Sequence, residues 1–205
     1  MISKPNLTYE KKLWSAYKTI AGLDEAGRGA LAGPVFVGAV ILPKENPHLL
    51  RSLNGVHDSK QLTALKREQL IPQIKKIAFA WGIGSATAEE IDKIGIVSAT
   101  RLAASRALEA MNFIPNFLLT DFRLELPELD IPQAAVVKGD ARSLSIASAS
   151  ILAKTTRDEM MCNLDKQYSG YNFSRHKGYG TLAHRKKIKQ LGHSPIHRKT
   201  FKINK

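Results

Sequence analysis

Cysteine is nearly absent from this chain, with Cys162 standing alone among 205 residues. One thiol cannot form an internal disulfide, so the fold must rest on a packed core, as suits a reducing cytosol. We expect a cytoplasmic protein and read Cys162 as a packed helix residue. Long apolar runs are missing too. The longest, Val35 to Leu42, is far short of the roughly 20 residues that span a bilayer. The N-terminal MISKPNLTYEKKLW carries charge but no apolar stretch of the signal-peptide kind. Neither a membrane protein nor a secreted one is expected. A third scarcity is local: beyond Asp165 there is no Asp or Glu, whereas eleven Lys or Arg residues remain. Those last forty residues hold +11 of the net +13, and residues 1–165 are close to neutral. Cations clustered without anions suit a polyanion, because phosphate contacts are made by Lys and Arg. Tyr168, Tyr171, Phe173, Tyr179 and Phe201 are interleaved with these charges, and disordered tails are poor in aromatics. A folded basic face is therefore favoured over a solvated tail.

What is present is ordinary globular material, 43% hydrophobic and 24% charged, of a length that suits one compact domain with a small appendage. Lys18–Asp24 and Pro34–Leu42 read as strands joined by a glycine loop, and Phe79, Trp81 and Ile83 alternate with small residues as a third strand. This is an antiparallel start. Between the second and third strands, Leu62, Leu65, Ile74 and Ile77 mark a helical face that Pro72 is expected to kink or break. Thr87 with Glu90 forms a capping-box pattern for a short helix ending at Gly95. Val97, Leu102, Leu108 and Met111 mark the next helix, which Pro115 stops. Two short buried strands follow, 116–121 and 134–138, each ending at or just before an aspartate. A long helix over 144–165 begins dense in Ala and Ser, and Thr181 caps a final basic helix that runs to Gly192. Antiparallel strands followed by β-α-β units make an α/β or α+β domain with a mixed sheet.

The run IAGLDEAGRGALAGPVFVGAVILP carries the densest chemistry. Asp24 and Glu25 stand side by side where a strand enters a Gly-Arg-Gly loop. Consecutive residues on an ideal strand point to opposite faces, so the pair can share a site only if the strand ends or distorts there. Paired carboxylates beside glycines and an arginine suit a hard divalent cation facing a phosphate. Asp121 and Asp140 also fall at expected strand ends, where sites collect in open α/β sheets. Alone, each also fits a turn-forming aspartate. Four converging acids repel one another unless cations neutralise them, and an all-oxygen donor set favours Mg²⁺ or Mn²⁺ over zinc. Two such ions would clamp a phosphodiester for hydrolysis.

DEAGRG with the following GPV, VHDSKQLT, VVKGDARSLSIASASILAKTTRD and HKGYGTLAH together resemble the ribonuclease HII family, over about residues 20 to 201. The resemblance implies an RNase H-like α/β fold: a mixed five-stranded sheet flanked by helices over residues 1–165. It also implies a small basic helical part, 166–205, that packs on this domain and contacts nucleic acid. The implied activity is metal-dependent endonucleolytic cleavage of RNA in RNA-DNA hybrids. It extends to nicking 5′ to single ribonucleotides in duplex DNA, leaving 3′-OH and 5′-phosphate ends. A monomer using Mn²⁺ or Mg²⁺ is expected.

By motif, Asp24, Glu25, Asp121 and Asp140 match the family's four metal-site acids. Gly27, Arg28 and Gly29 match the loop that senses the ribonucleotide, where the 2′-OH separates RNA from DNA. Tyr179 matches a tyrosine that packs on the neighbouring deoxyribose. Lys60 and Lys177 resemble phosphate or site-edge contacts, with solvated lysine as the alternative. Ser145 and Ser148 sit where a helix N-terminus can meet a phosphate, or where helices pack. One departure stands out. The family follows its third acid with Gly-Asn, and here Phe122 and Arg123 follow Asp121; a positive φ at Phe122 would be costly. A DNA-directed nuclease on the same acids and a hybrid-binding protein without catalysis are the rival readings.

Overall fold

The computed structural model describes residues 4–122 and 124–202. Arg123 lies outside the described residues. Five strands, β1 (Ile20–Ala26), β2 (Val35–Ile41), β3 (Ala80–Ala86), β4 (Phe117–Asp121) and β5 (Gln133–Val136), form one sheet in the order β3-β2-β1-β4-β5. The first three run antiparallel, whereas β4 is parallel to β1 and β5 to β4. This is the mixed five-stranded α/β sheet that the resemblance implied.

Alternation along the strands gives the sheet two buried faces. Against one lies helix α5 (Leu144–Gln167), at a distance that tolerates no side chain on two strand positions. A Cβ on Gly22 would fall 2.4 Å from the Ser145 carbonyl carbon, and one on Gly38 would fall 2.3 Å from the Ala149 oxygen. The Ala/Ser-rich start of α5 is the helix side of this close approach. The short helix α1 (Thr8–Leu13) brings Glu10 to the same end of α5, and α2 (Leu49–Ser52) and α3 (Ala64–Ile77) complete this layer.

On the other face, Ala21, Leu23, Val37 and Ala39 pack against α4 (Ala88–Ala110). The packed stripe of α4 is Ala99, Thr100, Ala103, Ala104 and Ala107, while Val97, expected on the apolar face, is 46% exposed. Gly82 and Gly84 of β3 bring the helix backbone so near that only small side chains fit between them. The capping box at Thr87 and Glu90 is present in full, and Gly95 interrupts the helix at φ 79° and ψ 158°.

The expected break at Pro72 does not occur, since α3 continues through it. Pro72 sits on the exposed side, so the Glu68 carbonyl that loses its N–H partner can turn to solvent. Beyond α5, the chain forms α6 (Phe173–His176) and α7 (Leu182–Leu191), the latter capped by Thr181 and closed by Gly192. Tyr171 and Phe173 are buried against Ala32 and Met161, which makes this basic stretch part of the folded body. No helix among the described residues is long and apolar enough to cross a membrane.

Candidate active site

The acids meet at the end of β1. Strand β4 pairs with β1 only as far as Leu23–Thr120, whereas β2 keeps pairing through Ala26. The strand therefore does not break at the doublet, contrary to the sequence expectation. Its neighbour stops instead, which leaves one side of Asp24 and Glu25 open beside Asp121, the last residue of β4. Carboxylate oxygens of Asp24, Glu25 and Asp121 come within 4.8 Å of one another.

These acids are poorly solvated. Asp24 is 3% exposed; its Oδ1 accepts from the Glu25 amide at 2.8 Å, and its Oδ2 is buried without a partner among the described residues. Glu25 Oε2 is likewise buried and unpartnered, with Arg28 4.0 Å from Oε1. Burial, then the charge of Glu25, pushes the Asp24 carboxyl well above its usual range. Burial also raises Glu25, against the pull of Arg28. Unpaired buried carboxylate oxygens are costly unless a cation meets them. Three close carboxylates with two such oxygens fit a hard divalent ion.

Asp140 does not belong to this trio. It sits in the short 3₁₀ turn Gly139–Ala141, and its Oδ2 is 3.3 Å from the Lys60 ammonium. Burial, opposed by Lys60, raises its pKa. The turn is tied to the trio, because the Gly139 amide donates to Asp121 Oδ1 at 2.8 Å. Phe122, half exposed, does not adopt a positive φ, and the Leu124 amide closes the turn onto the Asp121 carbonyl at 2.9 Å. The strain feared from a bulky residue after the third acid is absent at Phe122.

A cleft of about 520 Å³ opens over the trio, lined also by Gly27, Arg28, Gly29, Lys60, Arg67, Lys154 and Tyr179. Gly27 has φ 90°, and a Cβ there would strike the Arg157 guanidinium. At Gly29 a Cβ would meet no atom within 4 Å, so what its missing side chain leaves is open space. The Tyr179 ring stands near two cations, Lys154 and Arg157.

Besides Asp140, three residues named from sequence do not line this cleft. The Lys177 ammonium contacts Cys162 Sγ at 3.1 Å and the Ser174 carbonyl, and it lines a second cavity of about 510 Å³. Ser148 is buried and donates to the Leu144 carbonyl of its own helix. Ser145 donates through both its amide and its hydroxyl to Glu10 Oε1, at 3.0 and 2.7 Å. Glu10 thus holds the anion position at the α5 N-terminus that sequence reading offered to a phosphate.

The sequence reading missed two buried arginines. Arg157, from α5, donates to the carbonyls of Pro34, Ala32 and Lys177, and Arg198 donates to those of Gly27, Arg28 and Gly33. Neither is more than 1% exposed. Arg198 lay hidden in the basic run, which read as a whole as a face for a polyanion. Arg67 was missed as well. It donates to the Ser59 and Leu62 carbonyls and pairs with Asp158 at 2.9 Å, holding the segment that carries Lys60.

The family profile described as Ribonuclease HII matches residues 21–204. A ribonuclease HII of Desulfitobacterium hafniense is 51% identical over 196 residues, covering 95% of this chain and 73% of its own length. One from Dehalococcoides mccartyi is 50% identical over 199 residues, covering 96% and 92%. Among solved structures, the ribonuclease H2 of Pyrococcus horikoshii superposes with a TM-score of 0.73 at 28% identity, covering 90% of this chain and 94% of its own. A profile match over most of the chain, relatives at half identity and a shared sheet agree: this chain belongs to the ribonuclease HII family of endoribonucleases.

Proposed function

We propose that this protein cleaves the RNA strand of RNA-DNA hybrids and nicks duplex DNA 5′ to a single embedded ribonucleotide, leaving 3′-OH and 5′-phosphate ends. The observation that carries the reading is the pair of orphaned buried oxygens on Asp24 and Glu25. They lie beside Asp121, at the floor of a cleft whose wall is the Gly27–Gly29 loop. Asp24, Glu25 and Asp121 would hold Mn²⁺ or Mg²⁺, with Asp140 reaching the same ion or a second one once Lys60 turns to substrate. Bound there, the ion supplies Lewis-acid stabilisation of the phosphodiester and an activated water.

The chain's own groups do the rest. The open space at Gly29 admits a sugar against the backbone, where the 2′-OH can be read as donor and acceptor. Arg28, held near Glu25, faces the scissile phosphate from the loop. Tyr179 offers a flat apolar face to the next sugar, which distinguishes deoxyribose by its missing hydroxyl. Lys60 and Lys154 supply positive charge at the rim. The exposed cations from Lys166 onward extend that field along the duplex, and binding should weaken steeply with salt.

The test is a duplex DNA carrying one ribonucleotide, incubated with each metal in turn. A nick 5′ to the ribonucleotide, absent from an all-DNA control, is expected. No nick with either metal, or equal cutting of the control, overturns the reading.

A further inference from the structure

The two walls assigned to sugar recognition come from distant parts of the chain, and one dipeptide joins them. Arg198 sends its guanidinium into the glycine loop: Nη2 donates to Gly27 O at 2.8 Å, Nη1 to Arg28 O at 2.9 Å, and Nε and Nη2 to Gly33 O at 3.0 and 2.8 Å. A planar fork that spans three carbonyls fixes the loop as one body. The residue before it does the same for Tyr179 in two steps. His197 Nε2 lies 3.1 Å from His184 Nε2, and His184 Nδ1 lies 3.0 Å from the Tyr179 carbonyl.

The donors in this chain can be assigned. The Ser194 amide donates to His197 Nδ1 at 2.8 Å, so that nitrogen accepts and Nε2 carries the proton. His197 Nε2–H then donates to His184, whose Nδ1–H donates to Tyr179. Both imidazoles are buried, and both are neutral in this arrangement. The backbone repeats the linkage. The Leu31 amide donates to Gly178 O at 2.8 Å and the Arg198 amide to Leu31 O at 2.9 Å, with bridges pairing Ala30 with Tyr179 and Ala32 with His197.

We propose that His197 and Arg198 are positioning residues that lock the Gly27–Gly29 loop and Tyr179 at one separation, and that this lock sets selectivity for a single ribonucleotide at an RNA-DNA junction. The inference rests on the sugar-reading roles proposed above. A junction presents one ribose and one deoxyribose a single backbone step apart, so both walls must engage together. A uniform hybrid places ribose at both positions and makes no use of the deoxyribose contact at Tyr179. Loosening the lock leaves each wall present but makes substrate binding bear the cost of aligning them. A misplacement of about 1 Å can cost on the order of a hundredfold in rate.

The test compares kcat/KM on duplex DNA with one ribonucleotide against kcat/KM on a long uniform hybrid. Arg198→Lys keeps the charge but cannot span three carbonyls, and His197→Gln interrupts the path to Tyr179. Each should lower the ratio of the two values by about ten- to a hundredfold. Combined with Tyr179→Ala, His197→Gln should add no further loss on the single-ribonucleotide substrate, because the wall it positions is already gone, whereas Arg198→Lys, which holds the other wall, should no longer change the ratio between the two substrates. Equal losses on both substrates, or full additivity of His197→Gln with Tyr179→Ala, overturn the proposal while leaving the proposed activity standing. Failure of the wild-type enzyme to nick at the ribonucleotide removes that activity and this inference with it. If thermal unfolding shows that Arg198→Lys does not fold, Ser194→Ala, which removes one hydroxyl 2.7 Å from His197 Nδ1, carries the same test in the same direction.

Discussion

The Asp121 carboxylate accepts from the Gly139 amide at 2.8 Å, which couples the end of β4 to the turn bearing Asp140. An asparagine at position 121 keeps an oxygen acceptor for that amide while losing the charge. Asp121→Asn should therefore keep the turn in place and remove a proposed metal ligand. Cleavage should fall by at least about a hundredfold. Affinity for a hybrid, measured without metal by filter binding across a salt series, should stay within a few-fold, since cation-phosphate contacts dominate it. Near wild-type turnover would show that Asp121 holds no ion.

Asp24 links catalysis to stability with opposite signs. Burial raises its pKa, so its contribution to stability is complete at low pH and is lost as pH rises through the raised value. Above its ordinary pKa the buried Asp24 carboxyl therefore destabilises the metal-free enzyme. Asp24→Asn keeps an acceptor for the Glu25 amide and should stabilise the metal-free protein by about 0.5–2 kcal/mol while abolishing cleavage. Urea unfolding with and without Mn²⁺ decides the matter. Wild type should gain stability with the ion and the variant should not; a variant less stable than metal-free wild type refutes the account.

Where the sequence was readable, short-range chemistry was the reason. Thr87 caps through Glu90 three residues on, and Asp24 and Glu25 are neighbours in sequence, so local pattern carried both even though the strand runs on past the doublet. The reading failed where a side chain's fate depends on distant backbone. Ser145 looked free to meet a phosphate because Glu10, its partner, lies 135 residues earlier. Arg198 resembled its basic neighbours because the carbonyls that hold it belong to a loop more than 160 residues away. The face of α4 was misread only in part: Leu102, Leu108 and Met111 do pack on the core, but Val97 is exposed, and Gly82 and Gly84 across the interface make alanine the residue that fits at the closest approach.

Arg67 should prove a structural anchor of the cleft. Its guanidinium holds the Ser59 and Leu62 carbonyls and pairs with Asp158, which also binds Lys154 at 2.7 Å. With both partners largely buried, removing the arginine leaves two carbonyls and a carboxylate short of donors. Arg67→Ala should cost about 3 kcal/mol in unfolding free energy. The segment bearing Lys60 should then exchange its amide hydrogens faster than in wild type. Unchanged exchange at Ser59–Leu62 would show that this segment is held by other means.

The histidines of the C-terminal part predict loss of stability in acid. Burial holds His184 and His197 at pKa values of about 4, with His176 adding to the effect on His184 and His184 to that on His197. Between those values and the ordinary 6.5 or so, the unfolded chain binds protons that the folded chain refuses. Stability from this pair is thus complete above about pH 6.5 and falls away towards pH 4. His176, stacked on His184 at 4.2 Å and also lowered by burial, acts in the same direction. Asp24, Glu25 and Asp140 act oppositely, because their raised values favour the folded state as pH drops. The cleanest measurement removes part of that opposition, by following urea midpoints of metal-free Asp24→Asn from about pH 7.5 to about pH 5. The midpoint should fall across this range, and His197→Gln in the same background should flatten the fall. Parallel curves for the two proteins would show that the protons enter elsewhere.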